Sequence, residues 1–390
     1  MVKITLFSQI VKLLPRNKFD SLVSKYNTDK GTKGISSWAH FISMMFCHIG
    51  HAGSVRDISN GLRSITGNIN HLGFNRVPCK SSMSYINQHR DWRLFRDFFQ
   101  EVLVHLQNQT DFKRSKLLRL RRKVFLIDAS VIPLCLSMFD WAKFRKRKGA
   151  VKLHLVLDYD GCLPVFATVT DGKTHEINMA RQTEFPSGSV LVFDRGYIDF
   201  LWMKELDSRK IFFVTRAKTG MDYEVLESYE IPEKATGKVL EDIDIRLTTP
   251  QSSDKYPGKL RLVRYWDEEN QKELVFLTNN RSWTAQMVAD IYKERWNIEV
   301  FFKHIKQNLK IKTFIGTSLN AVMIQIWTAL ITMLLLTFLK VKAQYQWHLS
   351  NLITFIRLNL FVKIDLFEWI NHPFYKDKEI NDGQLLLFDG

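Results

Sequence analysis

Apolar and polar positions change their period along the chain, and each period predicts a different kind of structure. Up to about residue 112, apolar residues recur at helical spacing, as in "DWRLFRDFFQEVLVHLQN". From residue 124, the apolar runs "VFLI" and "VLVF" predict buried strands, and "KLHLVLDYDGCLPVFATVTDG" predicts a hairpin that turns at Asp160 and Gly161. Strand-like segments fill the stretch from about 219 to 278, and the apolar segment 321–339 is again helical.

These changes of period predict the domain organisation. We expect an α/β core that is interrupted by a β-rich insertion and preceded by an all-helical N-terminal domain. The predicted parts are a helical DNA-binding domain at 1–112, a basic linker at 113–123, a first core part at 124–218, the insertion at 219–278, a second core part at 279–345 and a C-terminal helical region at 346–390.

The N-terminal region contains a candidate DNA-reading motif. "SVRDISNGLRSITGNINHLGFNRVPCKSSMSYINQHR" offers two short helices around a link that contains Gly and Pro. This arrangement is typical of a helix-turn-helix, in which the second helix enters a DNA groove. The second helix would begin near Ser81, and the polar side chains at issue are Lys80, Asn87, Gln88, His89 and Arg90. Any small helical bundle could give the same pattern, so the bundle stays an alternative.

Charge points to a polyanionic partner. The 390 residues include 56 Lys and Arg against 40 Asp and Glu, which gives a formal net charge of +16. Such an excess indicates nucleic acid or an anionic membrane surface. The segment "KRSKLLRLRRK" at 113–123 is a linker that could follow phosphates, or simply a solvated connection.

The apolar segment 321–339 is long enough to span a bilayer, but polar residues such as Gln325 and Thr332 interrupt it. A buried core helix and a membrane span are both open on this pattern. The N-terminus lacks an apolar run of signal-peptide length, and the four cysteines lie far apart. We therefore expect a protein of the reducing cytoplasm.

Two aspartates follow buried strands. Asp128 comes after "VFLI", and Asp194 comes after "VLVF". Continuous apolar runs are typical of strands buried on both faces, and open α/β sheets place reactive groups near strand ends. Either aspartate alone could cap a turn. If the two strands are neighbours, however, the two carboxylates converge.

A third carboxylate lies among cations in "IYKERWNIEVFFKHIKQNLK", residues 291–310. On one continuous helix, Tyr292, Arg295, Glu299, Lys306 and Lys310 fall within a face about 60° wide, beside an apolar stripe. Glu299 is then displayed to solvent. This face could be a merely solvated one with ordinary pairs between residues three or four apart.

Three carboxylates that approach one another need a cation, because their charges repel. Mg²⁺ and Mn²⁺ prefer oxygen ligands, and two such ions about 3.5–4 Å apart can support in-line displacement at phosphorus. Asp128, Asp194 and Glu299 would hold the metal, while Arg295, Lys306 and Tyr292 would bind the flanking phosphates.

At these residues the sequence resembles a known family. The order Asp128, Asp194, Glu299, together with the spacing Tyr292-x₂-Arg295-x₃-Glu299-x₆-Lys306, is similar to the Y-R-E-K signature of bacterial insertion-sequence transposases of the group called "IS four". That resemblance implies a DDE catalytic triad on a ribonuclease H-like fold, from about Val124 to Lys340. It also implies that segment 321–339 is a core helix rather than a membrane span.

The resemblance implies an activity as well. Such enzymes nick the end of a mobile element by hydrolysis, and the freed 3′ hydroxyl then attacks a phosphodiester. Asp128, Asp194 and Glu299 would bind two Mg²⁺ or Mn²⁺ ions, and a homodimer would pair two terminal inverted repeats before joining them to target DNA. We expect further contacts to DNA phosphates from basic side chains, namely Lys303, Lys310, Arg145 and Lys152. The protein would act in the bacterial cytoplasm, on the nucleoid.

One position departs from the family pattern. Relatives that form DNA hairpins stack a flipped base on a tryptophan of the last insertion strand, and here the matching position is Leu274. Other aromatic side chains could take that part, and the nearest candidates are Trp266, Phe276 and Trp283. We expect Trp296 to pack in the core rather than to stack on a base, and His154 to be a satisfied surface histidine.

Two other functions stay open on the sequence. A two-metal nuclease on the same fold would cut without joining strands. A decayed transposase would bind DNA and do no chemistry. The presence of all three carboxylates favours the transposase over both.

Overall fold

The computed structural model describes most of the chain, residues 3–32, 34–65, 69–109, 122–134, 143–145, 148–160, 163–171, 175–233, 237–309, 311 and 313–374. For residues 143–145, 148, 149 and 171 it describes the backbone alone. The predicted DNA contact Lys310 and most of the predicted basic linker lie outside the described residues.

The N-terminal region is helical, as the periodicity predicts. Its helices are α1 (Leu6–Lys12), α2 (Arg16–Tyr26), α3 (Ser37–Ile49), α4 (Val55–Arg63), α5 (Lys80–His89) and α6 (Arg93–Gln107), with a 3₁₀ turn at Ile69–Leu72. Side-chain oxygens of Thr5, Ser36 and Ser54 accept hydrogen bonds from backbone N–H groups in the first turns of α1, α3 and α4. These caps fix where the helices begin.

The central part of the chain supplies the first strands and two short helices. They are β1 (Val124–Leu134), β2 (Lys143–Arg145), β3 (Lys148–Asp158), β4 (Leu163–Asp171), α7 (Glu176–Ala180), β5 (Val190–Phe193), a 3₁₀ turn at Arg195–Tyr197, α8 (Phe200–Ser208) and β6 (Phe212–Arg216). The predicted hairpin is present, because β3 and β4 pair antiparallel from Asp158–Leu163 to Val151–Asp171.

The region predicted to be β-rich contains β7 (Tyr223–Ser228), β8 (Val239–Leu247), the short helix α9 (Pro250–Ser253), β9 (Leu260–Asp267) and β10 (Lys272–Thr278). Its strands continue the central sheet, because β10 pairs antiparallel with β6. Within the described residues the sheet has ten strands in the order β2-β3-β1-β5-β6-β10-β9-β8-β7, with β4 beside β3. The boundaries of the predicted domains stay predictions.

The remaining chain is helical, with α10 (Ala285–Lys293), α11 (Trp296–Asn308), α12 (Leu319–Lys342), α13 (Leu349–Leu358) and α14 (Leu366–Asn371). One face of the sheet packs on α8 through side chains such as Trp202 and Met203. The other face shares a single hydrophobic cluster with α10–α13 and with the N-terminal helices. Burial of this cluster removes apolar surface from water at about 25 cal/mol per Å², which ties the two ends of the chain together.

Helix α12 is the centre of that cluster. It is long and apolar enough to cross a membrane, but its whole apolar window is buried inside the protein. Two of its buried polar side chains are satisfied by the backbone: Thr332 donates to the carbonyl of Thr328, and Gln325 bonds to the backbone at Thr313 and Ile315. These polar groups are therefore buried without the loss of their hydrogen bonds. The helix has the burial of a core helix.

Candidate active site

Asp128 and Asp194 lie side by side at one edge of the sheet core. Strands β1 and β5 pair in parallel, with Ile127 opposite Phe193. The next residue on each strand is an aspartate, and neighbouring strands lie about 4.8 Å apart. The predicted convergence of the two aspartates is confirmed at the level of the backbone register, but Asp128 lies inside β1, which continues to Leu134, and not at a strand end.

The segment that carries Glu299 is not one continuous helix, and in this respect the sequence-based prediction was wrong. Helix α10 ends at Lys293 and α11 begins at Trp296. Across the joint the backbone N–H of Arg295 donates to the carbonyl of Tyr292, three residues back instead of four. This tighter turn changes the direction of the chain. Tyr292 is consequently buried at the end of α10, whereas Glu299 lies in the first turn of α11.

Arg295 joins two of the predicted catalytic carboxylates. Its Nη1 lies 3.2 Å from Oδ2 of Asp128, and its Nη2 contacts Oε1 of Glu299. The Arg295 side chain is 15% exposed, so water screens these contacts less than it screens a surface pair. Burial would lower the pKa of Arg295, but Tyr292, Asp128 and Glu299 together raise it. A cation therefore sits between strand β1 and helix α11.

Burial also changes the acidity of Asp128. Removal of its carboxyl from water raises the pKa to about 6, and the negative charges of Glu299 and Glu176 act in the same direction. The backbone N–H of Ala129 and the guanidinium of Arg295 oppose this rise without cancelling it. Asp128 therefore binds a proton more readily than an exposed aspartate does, which is common for carboxylates in catalytic clefts.

Asp194 is linked to the same group of side chains through Tyr292. The Tyr292 hydroxyl donates to Oδ1 of Asp194 over 3.5 Å, and the Arg295 guanidinium lies 5.6 Å from the centre of the Tyr292 ring. Burial raises the pKa of Tyr292 and keeps its hydroxyl protonated at neutral pH. In the described part of the chain, no group of three or more His, Cys, Asp and Glu side chains is close enough to hold a metal ion.

An open groove of about 390 Å³ runs along the exposed side of Glu299. Its lining includes the predicted residues Asp128, Glu299, Lys303 and Lys306, and also four that were not predicted as site residues: Ala129, Ser130, Phe302 and Gln307. Lys306 donates to the carbonyl of Val131 over 3.0 Å, and Lys303 is exposed. The groove therefore has acidic groups on its floor and lysines along α11.

The other two predicted phosphate contacts, Lys152 and Arg145, are not among the described residues that line the groove. Lys152 is only 13% exposed and forms an ion pair with Glu176, with 3.2 Å between Nζ and Oε1. Arg145 lies in β2, and its side chain is outside the described atoms. His154, on the same strand as Lys152, bonds to the hydroxyl of Thr170, and burial lowers its pKa to about 4. The expectation of a satisfied surface histidine was wrong, because His154 is buried and its Nδ1 has no hydrogen-bond partner among the described residues.

The aromatic side chains predicted as candidates for base stacking differ in how far they are buried. Phe276 and Trp283 are 1% and 8% exposed, so neither offers a free ring face. Trp296 is 63% exposed, and the expectation that it packs in the core was wrong. Spacings of three and seven residues place Trp296, Glu299 and Lys303 on one face of α11.

Helix α5 displays fewer of the predicted DNA-reading residues than the sequence suggested. Asn87 is buried and bonds to Nε2 of His40, and Arg90 donates to the carbonyls of Ile35 and Ser36. These two side chains anchor α5 to α3. The exposed polar side chains of α5 are Lys80, Ser81, Ser84, Tyr85, Gln88 and His89.

Comparisons with known proteins identify the family of the chain. The family described as "Transposase DDE domain" matches residues 119–335, more than half of the chain, and the "Domain of unknown function (DUF4372)" matches residues 2–75. The first match contains Asp128, Asp194 and Glu299.

Three relatives carry transposase names. The protein y4zB of Sinorhizobium fredii is 32% identical over 261 residues, which are 66% of this chain and 71% of the relative. A transposase of the element IS5377 from Geobacillus stearothermophilus is 26% identical, over 67% and 68% of the two chains. One of the element IS4SA from Synechocystis is 24% identical, over 74% and 80%. The chain belongs to the Transposase DDE domain family and is a DNA transposase of the insertion-sequence type.

Proposed function

We propose that this transposase cuts DNA at the terminal inverted repeats of an insertion sequence and joins the freed 3′ ends to target DNA. Asp128, Asp194 and Glu299 form its catalytic triad. The observation that carries the proposal is the position of Arg295, whose guanidinium contacts Asp128 and Glu299 at once. Carboxylates from a strand and from a helix thus already share one cation, beside the strand that ends at Asp194.

The donor set fits a hard divalent metal. The family implies dependence on such an ion, and the three carboxylates supply the oxygen ligands that Mg²⁺ and Mn²⁺ prefer. We propose that Asp128, Asp194 and Glu299 hold two ions. When bound, such ions neutralise charge on a phosphodiester and activate water for attack.

The surrounding residues orient the DNA. The Arg295 side chain is 15% exposed between Asp128 and Glu299, so we propose that its guanidinium donates to a phosphate oxygen of DNA bound at the site. Lys303 and Lys306 extend the positive charge along the groove, and we propose Lys310 as a further phosphate contact on the strength of the sequence. Tyr292 holds Asp194 through its neutral hydroxyl, and we place Arg145 at the outer end of the DNA path.

We propose a ribonuclease H-like core for this site. Strands β4, β3 and β1 are antiparallel neighbours, and β1, β5 and β6 are parallel neighbours in the same sheet. This order and these directions support the assignment, since Asp128 on β1 and Asp194 after β5 then lie on neighbouring central strands, and Glu299 is carried by α11, which packs on β1.

The protein would work as a homodimer that pairs two element ends, in the bacterial cytoplasm and on nucleoid DNA. The C-terminal region displays apolar side chains that a second subunit could cover. Leu358 is 74% exposed, and Phe374 is 63% exposed. Monomeric proteins seldom expose many large apolar groups in one region.

The test is cleavage of labelled DNA that carries the element's own ends and flanks, with Mg²⁺ or Mn²⁺, analysed by denaturing electrophoresis. The wild type is expected to nick at the element boundary, and Glu299→Gln is expected to bind the DNA without nicking it. Glu269→Gln, which removes an exposed carboxylate near the end of α10, is the matched control and should cleave normally. Cleavage by Glu299→Gln at the wild-type rate would refute the triad.

A further inference from the structure

An ion pair connects the β3–β4 hairpin to helix α7, and α7 packs on the turn that follows Asp194. Lys152 lies on β3, and Glu176 is the first residue of α7. Their side chains are 13% and 30% exposed, and Nζ lies 3.2 Å from Oε1. The pair is therefore shielded from water more than the exposed ion pairs whose median value is about 0–1 kcal/mol.

The second oxygen of Glu176 lies against the backbone of that turn. The 3₁₀ turn at Arg195–Tyr197 directly follows Asp194 and packs on α7. A Cβ atom added to Gly196 would lie 3.3 Å from Oε2 of Glu176, which is tighter than ordinary van der Waals contact. A glycine at this position lets the carboxylate approach the chain two residues after Asp194.

Tyr197 completes the cluster. Its side chain is 1% exposed, and its hydroxyl has no hydrogen-bond partner in the part of the chain that the structure describes. Burial, followed by the negative charges of Glu176, Asp128 and Asp194, raises the pKa of Tyr197. The hydroxyl is therefore a buried, protonated donor that experiences the charge of three carboxyl groups, and a buried hydroxyl without a partner costs free energy.

We propose that Lys152, Glu176 and Tyr197 are positioning residues for the catalytic centre: they hold the turn at 195–197 so that Asp194 stays beside Asp128. Lys152 fixes Glu176, Glu176 supports the backbone at Gly196, and Tyr197 donates toward the carboxylates when they rearrange around a cation. This inference rests on the proposed function, because it takes Asp194 as a metal ligand. It also replaces the prediction that Lys152 contacts DNA.

The two roles of Lys152 differ in a double-mutant cycle. If Lys152 acts only through Glu176, then Lys152→Met, Glu176→Gln and the double variant lose the same amount of metal affinity. If Lys152 instead binds a phosphate, Lys152→Met weakens DNA binding in the absence of metal, and its effect adds to that of Glu176→Gln.

The experiment is a calorimetric titration of the full-length protein with Mn²⁺ in the absence of DNA. Partners that hold metal ligands in place are commonly worth about 10- to 100-fold in metal affinity. We therefore expect Glu176→Gln and Lys152→Met to weaken Mn²⁺ binding about 10-fold, with no further loss in the double variant. Tyr197→Phe, which keeps the ring, should also weaken binding, and metal-free DNA affinity should not change.

A second variant tests the contact without removing a charge. Gly196→Ala keeps all three side chains but displaces the Glu176 carboxylate, so it should weaken Mn²⁺ binding as Glu176→Gln does. The matched control is Glu224→Gln. Glu224 lies on β7, at the far edge of the sheet, and the change breaks its exposed ion pair with Arg246 on β8. This control should bind Mn²⁺ like the wild type. Thermal unfolding reports that each variant is folded.

The outcomes separate the two proposals. If Asp194→Asn abolishes Mn²⁺ binding while Glu176→Gln and Gly196→Ala bind like the wild type, the positioning cluster is refuted and the triad stands. If Asp194→Asn binds Mn²⁺ as tightly as the wild type, the proposed metal site itself is refuted. Additive losses in the cycle would return Lys152 to the DNA-binding surface.

Discussion

Nη1 of Arg295 lies 3.2 Å from Oδ2 of Asp128, although the two residues are 167 positions apart in the sequence. The same guanidinium contacts Glu299, one helical turn away. Arg295 therefore offsets the charge of both carboxylates in the metal-free protein. A divalent ion that binds Asp128 and Glu299 has to compete with this side chain.

That competition predicts an effect of Arg295→Gln on metal binding. Without the guanidinium, the two carboxylates attract a cation more strongly, by about 1 kcal/mol or roughly five-fold in affinity. DNA affinity should fall at the same time, because a phosphate donor is lost. Calorimetry with Mn²⁺ and anisotropy with labelled DNA measure the two effects. Weaker binding of both partners would instead mean that Arg295 holds the carboxylates in place.

The raised pKa of Asp128 predicts how stability depends on pH. Burial raises this pKa to about 6, compared with about 4 in an unfolded chain. Between these values the folded protein keeps a proton that the unfolded chain has released, so the free energy of unfolding falls as the pH rises from 4 to 6. At pH 7 the ionised group then lowers stability by up to about 3 kcal/mol.

Asp128→Asn cannot ionise and should therefore be more stable than the wild type at pH 7, by up to that amount, and no more stable at pH 4. Urea denaturation in EDTA at both pH values measures the difference. An equal difference at pH 4 and pH 7 would show that ionisation of Asp128 is not its cause.

The exposure of Trp296 predicts a contact with DNA. A base that stacks on an aromatic side chain contributes about 1–3 kcal/mol, so Trp296→Ala should weaken binding of the element end about 10-fold or more. Trp296→Phe should lose less, and neither change should alter the melting temperature much, because the ring is 63% exposed. Val225→Ala, another exposed apolar truncation, on β7 at the far edge of the sheet, is the control. DNA affinity that is unchanged in Trp296→Ala would contradict the prediction.

Two ion pairs between β8 and β9 predict very different losses of stability. Arg261 and Asp242 are 5% and 8% exposed, and Arg261 also donates to the carbonyl of Trp283 ahead of α10. Asp242→Ala leaves a buried cation unpaired and should destabilise the protein by about 3–5 kcal/mol. Arg264 and Glu241 form a more exposed pair on the same strands, and Glu241→Ala should lower stability by no more than about 1 kcal/mol. Denaturant unfolding of both variants measures the difference, and equal losses would contradict it.

The sequence predicted the parts of the site that depend on strand pattern. Asp128 and Asp194 could be identified in advance because each follows four apolar residues, and such runs predict buried strands. That the two strands are neighbours follows from the structure alone. The joint between α10 and α11 could not be predicted, since residues 293–296 contain no Gly or Pro to mark it. The chain turns there through a three-residue hydrogen bond, so positions 292 and 296 no longer share a helical phase.

The sequence also failed to predict which polar residues are buried. Asn87 and Arg90 have the character of surface residues, but their partners His40, Ile35 and Ser36 come from a helix about 50 positions earlier. Glu176 and Tyr197 were missed for the same reason. Their role depends on the contact with Lys152 and Gly196, which neither spacing nor periodicity records.

The shared core around α12 has a consequence for synthesis. The N-terminal helices leave the ribosome first, yet the apolar faces of α3 and α6 are covered by a helix that begins only at Leu319. His48 of α3 likewise finds its hydrogen-bond partner, Thr328, 280 residues later. The nascent N-terminal region must therefore keep apolar surface uncovered until most of the chain has been translated. At about 5–20 residues per second, this interval lasts on the order of tens of seconds. That is long enough for a chaperone to bind the exposed faces of α3 and α6 before α12 covers them.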